Sequence, residues 1–427
     1  MKMSRLSRFL SHVQSIPVLP RLFLSASVSP PLVRKLANKY GPNQHSLPTR
    51  VSSPVIQLIQ GTFRGIGQVA FVNSAITGAL IYVGCSLSSP LAALLGLLCT
   101  FLCTLLGYLI KSERERSVNG LHGYNGFLVG MGIGYFDTGL SVHHSGWYHF
   151  GLLLVPMVLT GFLCFFVHLG LSRSVSVPPF TFAYNISLSC WLAFAVSLGS
   201  GSEFYPVFVS PEIAPVSPAR IEYSAIDFSW FVRSVLAGVG QVYFSPELVP
   251  SILTTCALLI GSPIAGLLAL LGSTVGTGVA ILAHSAAWSS EIGLDGLSAV
   301  LCAIGAGGFV FVTSRWSIVV AIFGSIFCVS VRHVFSGLLV HPTGPAMTLP
   351  FCFIATIIVV ASKHIPVITR VPHRLLDSCE THLANRLDAE LIFAEIFRGK
   401  NPPQDQLQKV TEWPDLDARL HSLDALE

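Results

Sequence analysis

Three short motifs recur in this chain at one fixed offset. Gly65-Ile66-Gly67-Gln68-Val69-Ala70-Phe71 returns as Gly238-Val239-Gly240-Gln241-Val242-Tyr243-Phe244, and 241 − 68 = 173. Ser89-Pro90-Leu91-Ala92 returns as Ser262-Pro263-Ile264-Ala265, and Gly120-Leu121-His122-Gly123 as Gly293-Leu294-Asp295-Gly296, each again 173 residues on. Separate motifs in a single register mark a duplicated unit, which sets the architecture before any single element is considered.

The duplicated sequence is apolar. Of 427 residues, 52% are hydrophobic and only 11% charged, with mean hydropathy +0.67. A soluble chain carries roughly a quarter charged residues, so this one has too little charge to solvate a globule and must turn apolar surface to a lipid bilayer. The net charge of +4 is small, and no basic stripe interleaved with aromatics supports nucleic acid binding. Ten cysteines fall mostly inside apolar runs without a CxxC pair, which reads as small buried side chains rather than a metal or disulfide framework.

Apolar stretches cover about 65–84, 89–110, 121–137, 148–171 and 180–199, then 238–260, 263–283, 294–312, 317–337 and 348–361. Crossing the hydrocarbon takes about 20 helical residues. Several stretches are shorter or glycine-broken, so re-entrant half-helices are expected among them. Five spans per copy invert the second copy, so the halves face each other across a pseudo-two-fold axis with a site near the midplane. The expected fold is an all-α integral membrane protein with about ten transmembrane helices, in two inverted five-helix repeats around a central pore.

Charge divides the chain. Residues 1–60 form a basic N-terminal segment, with no Asp or Glu up to residue 53; it suits a cytosolic tail better than an organellar transit peptide. The first membrane repeat is 61–200, an acidic extracytosolic loop 201–232, the second repeat 233–362, and a cytosolic C-terminal region 363–427. Lys111, Arg114, Arg116, Arg173, Arg315, Lys363, Arg370 and Arg374 then fall inside; Arg332 is the exception. Both termini are expected in the cytosol and the plasma membrane is the expected location, with an organellar envelope as the alternative. Residues 371–398 read as an amphipathic helix with Leu375, Leu376, Cys379, Leu383, Leu387, Leu391 and Phe397 near one face, and the chain from Pro402 as a flexible tail.

Four segments resemble the urea transporter family. Its Q-V-x-F-x-N-N-P-x-x-G appears as Gln68-Val69-Ala70-Phe71-Val72-Asn73-Ser74-Ala75-Ile76-Thr77-Gly78, and its G-L-x-G-Y-N-x-x-L-V-G as Gly120-Leu121-His122-Gly123-Tyr124-Asn125-Gly126-Phe127-Leu128-Val129-Gly130. P-x-F-T-x-P-F-N appears as Pro178-Pro179-Phe180-Thr181-Phe182-Ala183-Tyr184-Asn185, and T-x-P-F-C-x-A-T as Thr348-Leu349-Pro350-Phe351-Cys352-Phe353-Ile354-Ala355-Thr356. The resemblance spans roughly residues 60–362. Asn-Asn-Pro has become Asn73-Ser74-Ala75, with Ser245-Pro246-Glu247-Leu248 as its second-half counterpart, and the second-half Tyr-Asn pair has become Leu297-Ser298.

The resemblance implies a homotrimer with one pore per protomer, passing urea or a similar small neutral solute passively. It carries over Gln68, Phe71, Thr181, Gln241 and Thr348; Phe244 follows by internal symmetry, and Leu121 and Leu294 of the paired Gly-Leu motif complete the expected pore set. Urea is flat and neutral, with N–H donors that are costly to leave unpaired in a dry pore. Glutamine and threonine oxygens can take those donors, and phenylalanines can wall the faces. Weak repeated sites without charge suit flux.

The same residues have plainer readings. A glutamine in a span also bonds helix to helix, a threonine also bonds back to its own helix, and a Phe also packs. The glycine-rich 120–134 stretch reads as close helix packing, and His122 as a loop or helix-end residue. Asp295 and Glu247 are either pore-mouth acids or helix N-terminal residues. No catalytic residue, metal or cofactor is expected. The altered asparagine-proline segments motivate another small neutral solute (ammonia, water, a short amide); an ion-coupled transporter would need more acids in the spans than exist.

Overall fold

Serine, proline and a pair of unusual phenylalanines cut the apolar sequence into helices. Helix α1 (Pro54–Gln68) starts where the Ser53 hydroxyl accepts the Ile56 N–H, with proline in the first turn. Helix α2 (Ala75–Ser88) starts where the Ser74 hydroxyl accepts from Thr77. Helix α3 (Pro90–Leu109) is capped by Ser89 onto Ala92. A 3₁₀ turn (Lys111–Glu113), the short α4 (Arg114–Val118) and α5 (Gly123–Phe136) follow, then α6 (Trp147–Ser174) and α7 (Phe182–Gly199). The second half repeats the pattern: α8 (Phe228–Gln241), α9 (Leu248–Gly261), α10 (Pro263–Leu282, capped by Ser262 onto Ala265), α11 (Leu294–Ile304) running into a π turn (Gly305–Phe309), α12 (Arg315–Leu339) and α13 (Leu349–Ala361). The computed structural model describes residues 53–136, 147–199 apart from 176, 227–339 apart from 284 and 286–289, 346–397 apart from 366 and 373–374, and 402–424. The N-terminal segment to residue 52 and the acidic loop at 200–226 lie outside the described residues.

The first expected span of each repeat is two helices, not one. At the end of α1 the Phe71 N–H reaches the Gln68 carbonyl (3.0 Å) and the Val72 N–H reaches Gly67 (3.1 Å); at the end of α8 Phe244 reaches Gln241 (3.1 Å) and Ser245 reaches Gly240 (3.1 Å). These bonds take up orphan carbonyls of the helix ends, and the chain leaves as a short loop into α2 or α9. α2 and α9 then pack on each other. Thr77 donates to the Ala257 carbonyl (3.3 Å).

Among the described residues, four helices are long and apolar enough to cross a membrane: Pro90–Leu109, Leu153–Ser174, Pro263–Leu282 and Arg315–Phe335. The chain is an all-helical membrane protein. α5 lies along α3, where Gly130 meets the Leu95 carbonyl with no room for a Cβ, the close approach expected of the glycine-rich stretch.

Segments that charge placement assigns to one side touch one another. Arg173 pairs with Glu113 at 2.8 Å. The Val371 N–H donates to Val310 (2.9 Å) and the Val312 N–H to Thr369 (3.0 Å). Arg332, the exception to the charge pattern, is a buried partner of Asp295 at 2.9 Å, and Ser290 donates to the other Asp295 oxygen at 2.8 Å.

The C-terminal region differs from expectation in two ways. Its helix α14 (Cys379–Phe397) starts after Leu375 and Leu376, and Leu391 and Phe397 are exposed. The chain from Pro402 is not a flexible tail: α15 (Gln404–Thr411) and α16 (Pro414–Asp424) fold back, burying Val410, Trp413 and Leu416 with Leu383 and Ala389 of α14 in a second core. Arg386 makes a bidentate pair with Asp415, both bonds 2.7 Å, and its guanidinium lies over Trp413.

Candidate functional site

Among the described residues, four that are not glycine adopt left-handed backbone: Phe71 (φ 62°), Phe180 (43°), Phe244 (57°) and Met347 (45°). Two are site candidates themselves; the other two immediately precede Thr181 and Thr348. Each such residue costs about 1–3 kcal/mol and persists only where the surroundings over-determine it, commonly at functional sites.

The two threonines meet. Thr181 Oγ1 and Thr348 Oγ1 are 2.7 Å apart. Asn185 Nδ2 donates to the Thr348 hydroxyl (2.8 Å) and to the Thr181 carbonyl (2.7 Å), while the Thr348 N–H donates to Asn185 Oδ1 (3.2 Å). Cys352 Sγ lies 3.1 Å from Thr181 Oγ1. The result is a buried, hydrogen-bonded knot joining the two halves, since both threonines and Asn185 are buried. Asn185 was absent from the expected site; its signal was its place one helical turn after Thr181.

Gln68, Phe71, Leu121 and Thr181 line one cavity of about 660 Å³. Gln68 Nε2 donates to the Asn119 carbonyl (3.2 Å), which leaves its amide oxygen as an acceptor. Glu115 and Arg116 lie at this cavity. In the turn just before them, burial works to raise the Glu113 carboxyl, but Arg173, Arg116 and His122 outweigh it and hold it below the usual range. His122 sits just before α5 and contacts Glu113 at 2.9 Å, a helix-end residue as read.

Gln241, Phe244, Leu294 and Thr348 do not line that cavity. The buried Gln241 Oε1 has no hydrogen-bond partner. Leu294 opens α11, half-buried against the main core. Asp295 lies in the first turn of α11, paired with Arg332. Glu247 stands at the N-terminus of α9 and accepts from Ser88 (2.7 Å). Both acids stand at helix N-termini, where their side chains bond to Arg332 and Ser88, and Glu247 makes no side-chain cap to the N–H groups of its own helix.

The aromatic walls are reciprocal. Phe71 packs against Phe309 (ring centroids 4.6 Å) and edge-on to Phe351 (6.1 Å), both from the second half, and edge-on to Phe180 (6.5 Å) of its own half. Phe244 packs on Phe136 (6.1 Å) and Tyr184 (6.4 Å), both from the first half, and on Tyr135 (5.1 Å). These are equivalent contacts, since 309 − 136 = 173 and 351 − 184 = 167, the latter being the Thr181-to-Thr348 separation. None of these partner aromatics was in the expected set. Extending the 173-residue register would have paired Phe136 with Phe309, but Tyr184 and Phe351 lie 167 apart and Tyr135 falls opposite Gly308.

A family model described as urea transporter matches residues 59–363. Urea transporter 1 of Mus musculus is 31% identical over 328 residues, covering 74% of this chain and 80% of that protein. Urea transporter 1 of Rattus norvegicus is 30% identical over 328 residues, and that of Ovis aries 30% over 330, with the same coverage.

Proposed function

This chain belongs to the urea transporter family, and we propose that it passes urea passively across a membrane, through a pore in each protomer. The observation that carries this reading is the Thr181–Thr348 contact, with Phe71, Phe309 and Gln68 lining a cavity that reaches Thr181 and Phe244 in ring contact with Tyr135 in the other half of the duplication. Phe71 with Phe309, and Phe244 with Tyr135, offer flat faces to a planar solute. Gln68, Gln241 and the threonine hydroxyls offer acceptors to its N–H groups. At the knot, solute N–H groups exchange for the bond between the two hydroxyls, so desolvation is compensated as the solute advances. Nothing in this path requires an ion gradient. Family membership does not favour the ammonia, water or ion-coupled readings.

The pore set in this reading is Gln68, Phe71, Leu121, Thr181, Gln241, Phe244, Leu294 and Thr348. About ten spans form two inverted repeats, at 61–200 and 233–362, between the N-terminal segment 1–60, the loop 201–232 and the C-terminal region 363–427. Helix direction supports the inversion. α3 ends at the turn whose Glu113 meets Arg173, whereas its counterpart α10 begins beside Glu380 of the C-terminal region. Residues 115–119 and 375–385 border one cavity, so the end of α3 and the start of α10 share a face. We further propose a homotrimer in the plasma membrane with both termini in the cytosol, which follows family membership and the charge pattern.

The test is urea entry into liposomes holding the purified protein, followed by light scattering with no ion gradient. Rapid entry that falls in Gln68→Ala and Thr181→Val is expected. No urea entry from folded protein overturns the reading.

A further inference from the structure

The family match ends at residue 363, yet the cavity around Gln68 and Phe71 is completed by residues beyond it, among them Leu375, Leu376, Asp377 and Asn385. The segment that carries them is fastened to the membrane helices. The buried Glu380 carboxylate accepts from the Ser262 hydroxyl (2.8 and 3.0 Å) and the Ile264 N–H (2.9 Å) at the start of α10. His382 Nε2 accepts the Asp377 N–H at 2.6 Å while its Nδ1 lies 3.1 Å from the Gly308 carbonyl. Asp377 is therefore held in place through its own backbone.

Its side chain is only half used. Asp377 Oδ1 accepts from Asn73 Nδ2 at 3.3 Å. The other oxygen, Oδ2, and the Asn73 carbonyl oxygen are both buried without a protein partner. Buried acceptors without donors are rare and need an explanation. Both residues line the cavity, and urea brings the N–H donors that these oxygens lack. Arg64, one turn before Gln68, bonds to the Val118 carbonyl (3.4 Å) and Asn119 Oδ1 (3.0 Å) and interacts electrostatically with Asp377.

We propose that Asp377 is part of the solute site: with Asn73 it presents two acceptor oxygens to the permeating amide, so the C-terminal segment selects solutes by their number of N–H donors. This rests on the urea-pore reading and adds a selecting residue outside the matched family region. The chemical class selected is a planar amide with amino groups on both sides of the carbonyl, over one with a single amino group.

The experiment compares urea with acetamide in proteoliposomes of the full-length chain. Asp377→Asn replaces a pure acceptor by a group that also donates. The urea-to-acetamide permeability ratio is expected to fall about fivefold, the weight of one hydrogen bond, with the melting temperature unchanged. An unchanged ratio, or an equal rise in both permeabilities, overturns the proposal, because the segment would then be inert or merely a plug. Should Asp377→Asn not fold, Asn73→Ala removes the other acceptor from the membrane side, and an unchanged ratio there overturns the proposal equally. Wild-type protein that passes no urea overturns the pore reading itself, an outcome distinct from wild-type passage with an unaltered Asp377→Asn ratio.

Discussion

The Thr181 and Thr348 hydroxyls satisfy each other at 2.7 Å across 167 positions of sequence, and Asn185 holds both residues. Losing one hydroxyl leaves its partner's hydrogen bond unmade and removes an acceptor from the solute's path. Thr181→Val is expected to slow urea entry about tenfold, while Thr181→Ser keeps most of it. The double variant with Thr348→Val should lose less than the product of the two single losses, because the hydroxyls act as a pair. Stopped-flow light scattering on proteoliposomes checks both.

The Asp295–Arg332 pair is nearly buried, with side-chain exposures of 1% and 10%. Removing one partner strands the other charge. Asp295→Asn is expected to destabilise the protein by about 3–5 kcal/mol. Adding Arg332→Gln should recover part of that loss. Thermal unfolding in detergent measures it, and equal melting temperatures for the single variant and wild type would refute it.

Gly120 and Gly293, 173 residues apart, have φ of 78° and 74°. A Cβ on either would strike backbone of the paired helix, Arg64–Gly65 in one half and Ala237–Gly238 in the other. Gly120→Ala and Gly293→Ala are each expected to cost about 2–4 kcal/mol from backbone strain plus overpacking. Expression and melting temperature should fall together for both.

Asp415 ties α16 to α14 through Arg386. Burial would raise its carboxyl, but the hydrogen bonds and charge of Arg386 outweigh that and hold it below the usual carboxylate range. A depressed acid contributes stability above its unfolded pKa, near 4, and loses it as the pH falls through the folded value. The Asp415 side chain is 46% exposed, so water screens the effect to a modest size. Hydrogen-exchange protection over 404–424, corrected for the intrinsic rate, should weaken as the pH falls below about 4. Asp415→Asn should weaken it at neutral pH and flatten the dependence.

The duplication and membrane character were legible because composition and register need no tertiary information. Gln68, Phe71, Leu121 and Thr181 were legible as motif residues and share one cavity. The break after Gln68 was not: Val69 to Ser74 holds no proline or glycine, and only the packed surroundings force Phe71 into left-handed backbone. The aromatic partners were hidden for a related reason, since Phe309 and Phe351 reach Phe71 from far along the chain. The residues after Pro402 looked like a tail because their composition is polar. A single buried tryptophan, Trp413, and one bidentate arginine make them a folded unit.

The reciprocal aromatic contacts bear on the duplication. Phe71 takes Phe309 and Phe351 from the second half beside its own Phe180, and Phe244 takes Tyr135, Phe136 and Tyr184 from the first, so neither half supplies these contacts alone. One copy of the repeat, taken by itself, leaves its own phenylalanine without these partners. Joined in one chain, the two copies need not match elsewhere: His122 faces Glu113 where its counterpart Asp295 faces Arg332.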